Sequence, residues 1–357
     1  MSRIPTPETI TAAWLTDRLR EAGHPTAEVR GFTSARVGTG QIGRCIRFEL
    51  QVEGGDPTTP RSLIGKFPSD DPTTRQTGVL LRNFIKEVSF YRTLASRLTI
   101  SVPRCYHAAI EGAGPEFALL LEDLAPARQG DQLAGCSVDV ARAAVLELVG
   151  LHAPTWCDGS LRGVEWLGEP NEATAELVRG LYRAQLPGFL ERYAARLAPD
   201  ETAIIERVAD STGAPFEPVA DPFALVHVDY RLDNLLIDEA IEPPRIAVVD
   251  WQSITLGNPL ADVAYFLGAG LLPEDRRRAE AAIVRAYHEA LVRRGVQRYP
   301  FDRCWNDYRR GAFAGFAVTV IASMMVQQTA RGDEMFVVMA RRHSRHALDL
   351  GAEAFLG

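Results

Sequence analysis

Apolar and polar positions alternate in the first third of the chain in a way that indicates β-strands. Residues 46, 48, 50 and 52 are apolar and the residues between them are polar, the period-two pattern of a half-buried strand. Further strands are predicted at residues 62–67, 104–110 and 116–122. Apolar residues recur at helical spacing over residues 7–22 and 79–97, which predicts two helices. The polar residues 68–77 predict a mobile connection.

Beyond residue 122 the pattern becomes mainly helical. Helices are predicted at residues 137–151, 172–197, 200–211, 259–269, 274–294, 303–329 and 333–355. Short strands are predicted between them at residues 224–228, 235–237 and 246–249. The change at Glu122 predicts an N-terminal lobe of residues 1–122 and a C-terminal lobe of residues 123–357. A chain of 357 residues is long enough for two such cores.

One segment requires a comparison with membrane-spanning helices. Residues 311–330 carry no charge and are nominally long enough to cross a bilayer. Polar residues and many glycines and alanines dilute the segment, so a buried helix is favoured over a membrane anchor. No stable membrane insertion is expected, and the N-terminus lacks the apolar core of a signal peptide.

Charge and cysteine content exclude several other classes of protein. The formal net charge of −7 argues against a broad nucleic-acid-binding face, which needs clustered lysine and arginine. The five cysteines are an odd number and form no CxxC pair, which argues against a disulfide framework or a zinc site. Reduced thiols fit a cytoplasmic protein. No oligomeric state is predicted.

A glycine motif at residues 38–43 suggests a loop that could approach phosphates. Gly38, Gly40 and Gly43 form a G-x-G-x-x-G pattern, which alone is equally compatible with a flexible turn. A dinucleotide-binding fingerprint would need a helix directly after the glycines. Here a predicted strand follows, as in the flap that covers ATP phosphates in kinases.

Two charged residues in the predicted N-terminal lobe could form a pair. Lys66 lies in a short apolar strand, where a lone lysine would ordinarily be an edge or snorkelling residue. Glu87 lies on the following predicted helix and could equally be a solvated carboxylate. Together they match the strand lysine and helix glutamate that position the α- and β-phosphates in kinases.

The strongest signal is the segment 226–236, which follows an apolar strand. Asp229 and Asn234 are five residues apart, the spacing of the kinase catalytic loop. Asp250 stands at the end of the next apolar strand, where it could meet phosphate-bound Mg²⁺. A polar turn would explain one or two of these residues but not the set. Asp262 is interpreted as a structural brace rather than a direct participant in catalysis.

These motifs, in this order, resemble the aminoglycoside phosphotransferase and choline kinase superfamily. Residues 63–70, 86–94, 227–236 and 249–267 are similar to its ecdysteroid-kinase-like and related bacterial branches. The resemblance implies an α+β, bilobal protein-kinase-like fold with a small N-terminal antiparallel-sheet lobe and a larger, mainly helical C-terminal lobe.

The same resemblance implies roles for individual residues, with ATP and Mg²⁺ as cofactors. Asp229 would be the catalytic aspartate, and Asn234 and Asp250 would be Mg²⁺ ligands. The nucleotide-binding set comprises Gly38, Gly40, Gly43, Lys66, Glu87 and Glu122. The chain departs from the family at Val228, where many members have glycine, and at Arg231, where small-molecule kinases often have histidine. Arg231 could stabilise charge on the moving phosphoryl group or anchor the loop.

The implied function is an ATP-dependent phosphotransferase that acts on a hydroxyl of a small molecule. Few residues separate Asp250 from the next helix, which leaves little room for the activation loop of a protein kinase. The apolar residues around 305–325 suggest an acceptor that is not polycationic, although ordinary core packing is the better single explanation for them. The alternatives are an aminoglycoside-type antibiotic resistance kinase and a non-catalytic nucleotide-binding module.

Overall fold

The computed structural model describes residues 4–38, 43–168, 171–218 and 220–357. The chain forms two compact units, and each unit contains several separate stretches of the sequence. The first unit comprises Met1–Arg97, Val102–Pro126 and Val249–Gln252, and the second comprises the segments between and after them. A functional division at residue 122 stays a prediction.

The first unit is built on a five-stranded antiparallel sheet in the order β1-β2-β3-β5-β4. The strands are β1 (Glu28–Val37), β2 (Gly43–Glu53), β3 (Ser62–Pro68), β4 (Cys105–Ile110) and β5 (Phe117–Glu122). Helix α1 (Ala12–Glu21) begins at Thr11, whose hydroxyl accepts a hydrogen bond from the backbone of Trp14. Its buried Leu15 and Leu19, four residues apart, belong to the same apolar core as Phe48 of β2.

The predicted mobile connection at residues 68–77 is wrong. This segment contains most of helix α2 (Pro72–Leu80), and Asp71 caps the helix by accepting a hydrogen bond from the backbone of Thr74. The predicted helix at 79–97 is also divided. Arg82 has a left-handed backbone between α2 and α3 (Asn83–Ser89), and the chain then continues as a π-helix at Phe90–Leu94 and a 3₁₀ turn at Ala95–Arg97.

The second unit is mainly helical. Its α-helices are α4 (Val138–Glu147), α5 (Val149–His152), α6 (Glu172–Tyr193), α7 (Pro199–Ala209), α8 (Leu260–Gly270), α9 (Pro273–Arg293), α10 (Phe301–Gly311), α11 (Ala314–Ala317), α12 (Ser323–Met325) and α13 (Ala330–Asp349). Its short strands are β6 (Arg128–Gln129), β7 (Ala224–Val226), β8 (Leu235–Asp238), β9 (Arg245–Val248) and β10 (Thr255–Gly257). They form a β6-β8-β9 sheet and a β7-β10 pair, both antiparallel.

The predicted single helix at residues 303–329 is wrong. Helix α10 ends at Gly311, where an added Cβ would lie 2.8 Å from the carbonyl oxygen of Leu260 on α8. The chain then passes through α11, a π-helix at Val318–Ala322 and α12. Phe313 and Phe316 are buried in the core of the second unit. Within the described part of the chain, no helix is long and apolar enough to cross a membrane.

Candidate functional site

Two of the three motif glycines lie at the adjoining ends of β1 and β2. Gly38 follows β1 with φ +76°, a conformation that glycine adopts without strain. Gly43 begins β2, and an added Cβ there would lie 3.0 Å from Cε of Lys66. A glycine therefore follows the first strand and another begins the second, as the strand–glycine–strand prediction expects. Gly40 lies outside the described residues.

Lys66, Glu87 and Asp250 meet within the first unit. Nζ of Lys66, on β3, donates a hydrogen bond to Oε1 of Glu87 on α3 at 2.7 Å. The same nitrogen lies 2.8 Å from Oδ1 of Asp250, two residues after β9. Lys66 and Glu87 are buried, with 8% and 2% of their surface exposed. The predicted pair is thus formed, and Asp250 joins it.

The charges of this cluster are not balanced. Burial alone would lower the pKa of Lys66, but the carboxylates of Asp250 and Glu87 outweigh burial and raise it. Burial raises the pKa of Glu87 to about 6, with Lys66 opposing the rise and Asp250 adding to it. Two carboxylates thus share one ammonium, and carboxylate oxygens are ligands that suit a divalent cation.

Aromatic stacking packs the chain segment after Glu87 against the segment after Asp250. Trp251 is fully buried, and its ring stacks on Phe90 of the π-helix with 4.0 Å between centroids. Asp250 has φ +67°, an uncommon conformation for a non-glycine residue. Gln252 donates to its second oxygen at 3.4 Å. The backbone turn and the packed tryptophan therefore fix where the Asp250 carboxylate points.

Asp229 is the centre of a hydrogen-bonded group in the second unit. Its carboxylate accepts from Nδ2 of Asn234 at 2.9 Å, from Nε of Arg231 at 3.0 Å and from the hydroxyl of Tyr265 at 2.9 Å. The Asn234 amide nitrogen also donates to the Asp229 carbonyl at 2.8 Å. Because the nitrogen is used in this way, the amide oxygen is the atom of Asn234 that could bind a metal. Carboxylate and amide oxygens are ligands that suit Mg²⁺, so Asp250 and Asn234 fit the implied metal chemically.

Arg231 is held by its own loop and by helix α13. Its guanidinium donates to Asp233 at 2.7 Å and contacts the sulfur of Met335 at 3.3 Å, besides its bond to Asp229. Burial alone would lower the pKa of Arg231, but Asp229 and the other neighbouring acids raise it, so it stays charged. Arg331 of α13 also donates to Asp233, at 3.2 Å. These contacts favour the loop-anchoring role among the two roles that the sequence left open.

Asp262 holds the backbone that leads into Asp229. Its carboxylate accepts from the backbone nitrogens of His227 at 2.6 Å and Val228 at 2.9 Å. Val228 has φ +73°, which is strained for a β-branched residue and natural for glycine. Glycine would adopt this left-handed backbone without that strain. The contacts of Asp262 match the bracing role expected from the sequence.

Glu122 ends β5 in the first unit. Its side chain accepts a hydrogen bond from the backbone nitrogen of Arg104 at 3.1 Å. The next residue, Asp123, is buried and forms a two-bond ion pair with Arg47, at 2.7 and 3.1 Å. These contacts fix the chain where β5 ends; the assignment of Glu122 to nucleotide binding stays a prediction.

Sequence reasoning missed Tyr265. It lies on α8 three residues after Asp262, within an apolar helix in which a tyrosine signals nothing unusual. Only the position of α8 beside the 227–234 loop gives it a partner. The fold thus produces two groups, Lys66–Glu87–Asp250 in one unit and Asp229–Asn234–Arg231–Tyr265 in the other.

A sequence profile of the phosphotransferase enzyme family (APH) matches residues 57–300, more than half of the chain. Solved structures with similar folds include choline kinase from Cryptosporidium parvum Iowa II (TM-score 0.55, 10% identity, covering 90% of this chain and 89% of that one). Ethanolamine kinase from Plasmodium vivax is also similar (TM-score 0.51, 9% identity, 91% and 82% covered). A third is the GDP complex of aminoglycoside 2'-phosphotransferase-IIIa (TM-score 0.50, 12% identity, 87% and 91% covered). The protein-kinase-like α+β fold expected from the sequence is confirmed.

Closer sequence relatives match only over short segments. Acyl-CoA dehydrogenase family member 11 of Gallus gallus is 36% identical over 86 residues, which is 24% of this chain and 11% of the relative. Acyl-CoA dehydrogenase family member 10 of Mus musculus is 33% identical over 123 residues, 30% of this chain and 11% of the relative. The matched segments therefore span about a tenth of the length of these relatives.

Proposed function

The chain belongs to the phosphotransferase enzyme family, and we propose that it transfers the γ-phosphate of ATP to a hydroxyl of a small molecule. One observation carries this proposal more than any other. The carboxylate of Asp229 is partly exposed and is held by Asn234, Arg231 and Tyr265 in a loop that has the kinase spacing. An oriented, accessible carboxylate suits a group that receives a proton from an acceptor hydroxyl.

The two clusters divide the work of the reaction. Lys66, held by Glu87, would pair with phosphate oxygens of the nucleotide. Asn234 and Asp250 would hold Mg²⁺, which when bound neutralises charge on the β- and γ-phosphates. Asp229 would orient the acceptor hydroxyl and take its proton. The acceptor oxygen then forms a bond to the γ-phosphorus, while the bond to the bridging oxygen breaks and its electron pair leaves with ADP.

The surroundings of the helical unit support an acceptor that is not polycationic. A pocket for a polycation needs several available carboxylates. Asp333 instead accepts from Tyr193 at 2.6 Å, Glu334 pairs with Arg196 at 2.7 Å, and Asp307 accepts from Tyr299 at 2.8 Å. Three of the four acids that flank the apolar segment therefore bind other side chains, and the fourth, Asp302, is exposed on α10. This leaves fewer unengaged carboxylates than an aminoglycoside pocket needs.

In the apolar segment at residues 311–326, fewer side chains could contact an acceptor than the sequence suggested. Phe313 and Phe316 are core residues and do not face a ligand. Ile321, Met324 and Met325 are half-buried and could still contact one. Methionine adapts to irregular shapes, so these side chains suit an acceptor that is largely apolar apart from its hydroxyl.

The deciding experiment is an ADP-formation assay with Mg·ATP across a panel of hydroxylated compounds. The panel should hold sterols, lipids, amino alcohols, macrolides and aminoglycosides. Hydroxyacyl thioesters belong in it because the sequence relatives carry the name acyl-CoA dehydrogenase. ADP formation that depends on an uncharged or anionic acceptor supports the proposal. A much higher kcat/KM for aminoglycosides would favour the resistance kinase, and ATP binding without consumption would favour the non-catalytic module.

A further inference from the structure

Helix α8 contacts the Asp229 loop through two residues on one face. Asp262 and Tyr265 are three residues apart, so their side chains lie on neighbouring turns of the same face. Asp262 binds the backbone at His227 and Val228, whereas the Tyr265 hydroxyl binds Oδ1 of Asp229 at 2.9 Å. One residue therefore holds the backbone of the loop, and the other holds the side chain of its central acid.

The ring of Tyr265 has little freedom to move. Only 1% of its surface is exposed. Its ring packs edge-on against His343 of α13, with 5.1 Å between centroids and 61° between planes. A phenol fixed in this way presents its hydroxyl at one place, and burial together with the nearby Asp229 carboxylate raises its pKa well above 10. The hydroxyl therefore stays protonated and donates.

The charged groups near Asp229 show how the contact of Tyr265 differs from the others. From the loop itself come Arg231, which donates to Asp229, and Asp233, which Arg231 also binds. From α13 comes Arg331, which reaches Asp233 rather than Asp229. From α8 come Tyr265, which donates to Asp229, and the carboxylate of Asp262, which binds the backbone of His227 and Val228 rather than the Asp229 side chain. Among the described residues of this unit, Tyr265 is thus the neutral donor that bonds the Asp229 carboxylate from outside its own loop.

We propose that Tyr265 is a positioning residue that fixes the orientation of the Asp229 carboxylate. This inference rests on the proposed function of Asp229. The bonds from Arg231 and Asn234 come from the same loop as Asp229, whereas the bond from Tyr265 ties the carboxylate to a buried ring on α8. Loss of that bond therefore frees the carboxylate to rotate.

The test compares the Mg·ATP turnover of Tyr265→Phe with that of the wild type. The acceptor is the best compound of the panel, or water if no compound is phosphorylated. We expect kcat to fall on the order of 10-fold, the size of one hydrogen bond to a charged group, with KM for ATP unchanged. A structural role alone would lower the free energy of unfolding and would leave both kcat per folded molecule and KM unchanged.

Tyr182→Phe is the matched control. Tyr182 is fully buried in the same unit, and its hydroxyl donates to the carbonyl of Ile205, also at 2.9 Å. Its loss should leave kcat and KM for ATP unchanged. In an Asp229→Asn background, Tyr265→Phe should cause no further loss of rate, since Tyr265 acts through that carboxylate.

A second measurement needs no activity. With ¹³Cζ-labelled tyrosine at constant pH, the one resonance of the nine tyrosines that is absent from Tyr265→Phe should shift in Asp229→Asn, because an amide replaces the carboxylate that this hydroxyl bonds. A Tyr265 resonance that does not move in Asp229→Asn, or a Tyr265→Phe kcat equal to that of the wild type, overturns the inference. A wild type that consumes no ATP overturns the proposed function instead, and the resonance then decides the Tyr265 contact by itself.

Discussion

Replacing Asp262 with asparagine should destabilise the second unit through the backbone of one loop. The buried carboxylate accepts from the backbone nitrogens of His227 at 2.6 Å and Val228 at 2.9 Å. An asparagine has the same shape, but only one of its two head-group atoms can accept. Its NH₂ group would face one of the two backbone N–H groups, so that bond is lost and the other becomes a neutral one.

The magnitude follows from these two bonds. A hydrogen bond to a charged group contributes about 1.5–3 kcal/mol, and a neutral one about half of that. Losing one and weakening the other should lower the free energy of unfolding by about 2–4 kcal/mol. The left-handed backbone at Val228 costs a further ~1–2 kcal/mol that Asp262 helps to offset.

Urea denaturation at pH 7 measures this change as a shift in midpoint at constant slope. The matched control is Asp302→Asn, an exposed aspartate in the first turn of α10, which should cost less than about 1 kcal/mol. Val228→Gly should stabilise the wild type by about 1 kcal/mol, because relief of the left-handed strain exceeds the entropy lost by glycine. The reasoning is refuted if Asp262→Asn behaves like Asp302→Asn, or if Val228→Gly is destabilising.

Two further predictions concern other residues. Burial lowers the pKa of His343 to about 3. Below pH 6.5 the unfolded chain therefore binds a proton that the native protein does not. The free energy of unfolding should keep its full value above that pH and be about 2 kcal/mol lower at pH 5. Urea midpoints between pH 5 and 8 should show this loss in the wild type and a smaller loss in His343→Leu. The same loss in both proteins would contradict the prediction. Asp250→Ala should abolish the Mg²⁺-dependent thermal shift with ATP while Gln252→Ala retains it; an unchanged shift would exclude Asp250 as a metal ligand.

Much of the fold was predictable because local patterns and tertiary structure agree. The alternation around Phe48 predicted β2, and Ser137 does cap α4. Helix α2 was not predicted, because few of its residues are apolar and only Asp71 and Pro72 signal its start. The break at Gly311 could not be read from the sequence, since it arises from close packing of α10 on α8.

The same distinction applies to the site. The spacing of Asp229 and Asn234 is a local property, and the two side chains do bond to each other. The contact of Tyr265 with Asp229 joins residues that are 36 apart in sequence and depends on where α8 lies. The left-handed backbone at Val228 could not be predicted either, because a β-branched residue disfavours it.

Single-turnover phosphoryl transfer by Asp229→Asn tests the central claim most directly. Asparagine keeps the size of the side chain and removes the charge that accepts a proton. We predict that Mg·ATP binding, measured by calorimetry, stays within a few-fold of the wild type while the rate of transfer falls at least about 10²-fold, the scale of general-base assistance. Transfer at the wild-type rate, with nucleotide binding intact, would contradict the assignment of Asp229 as the group that receives the acceptor's proton.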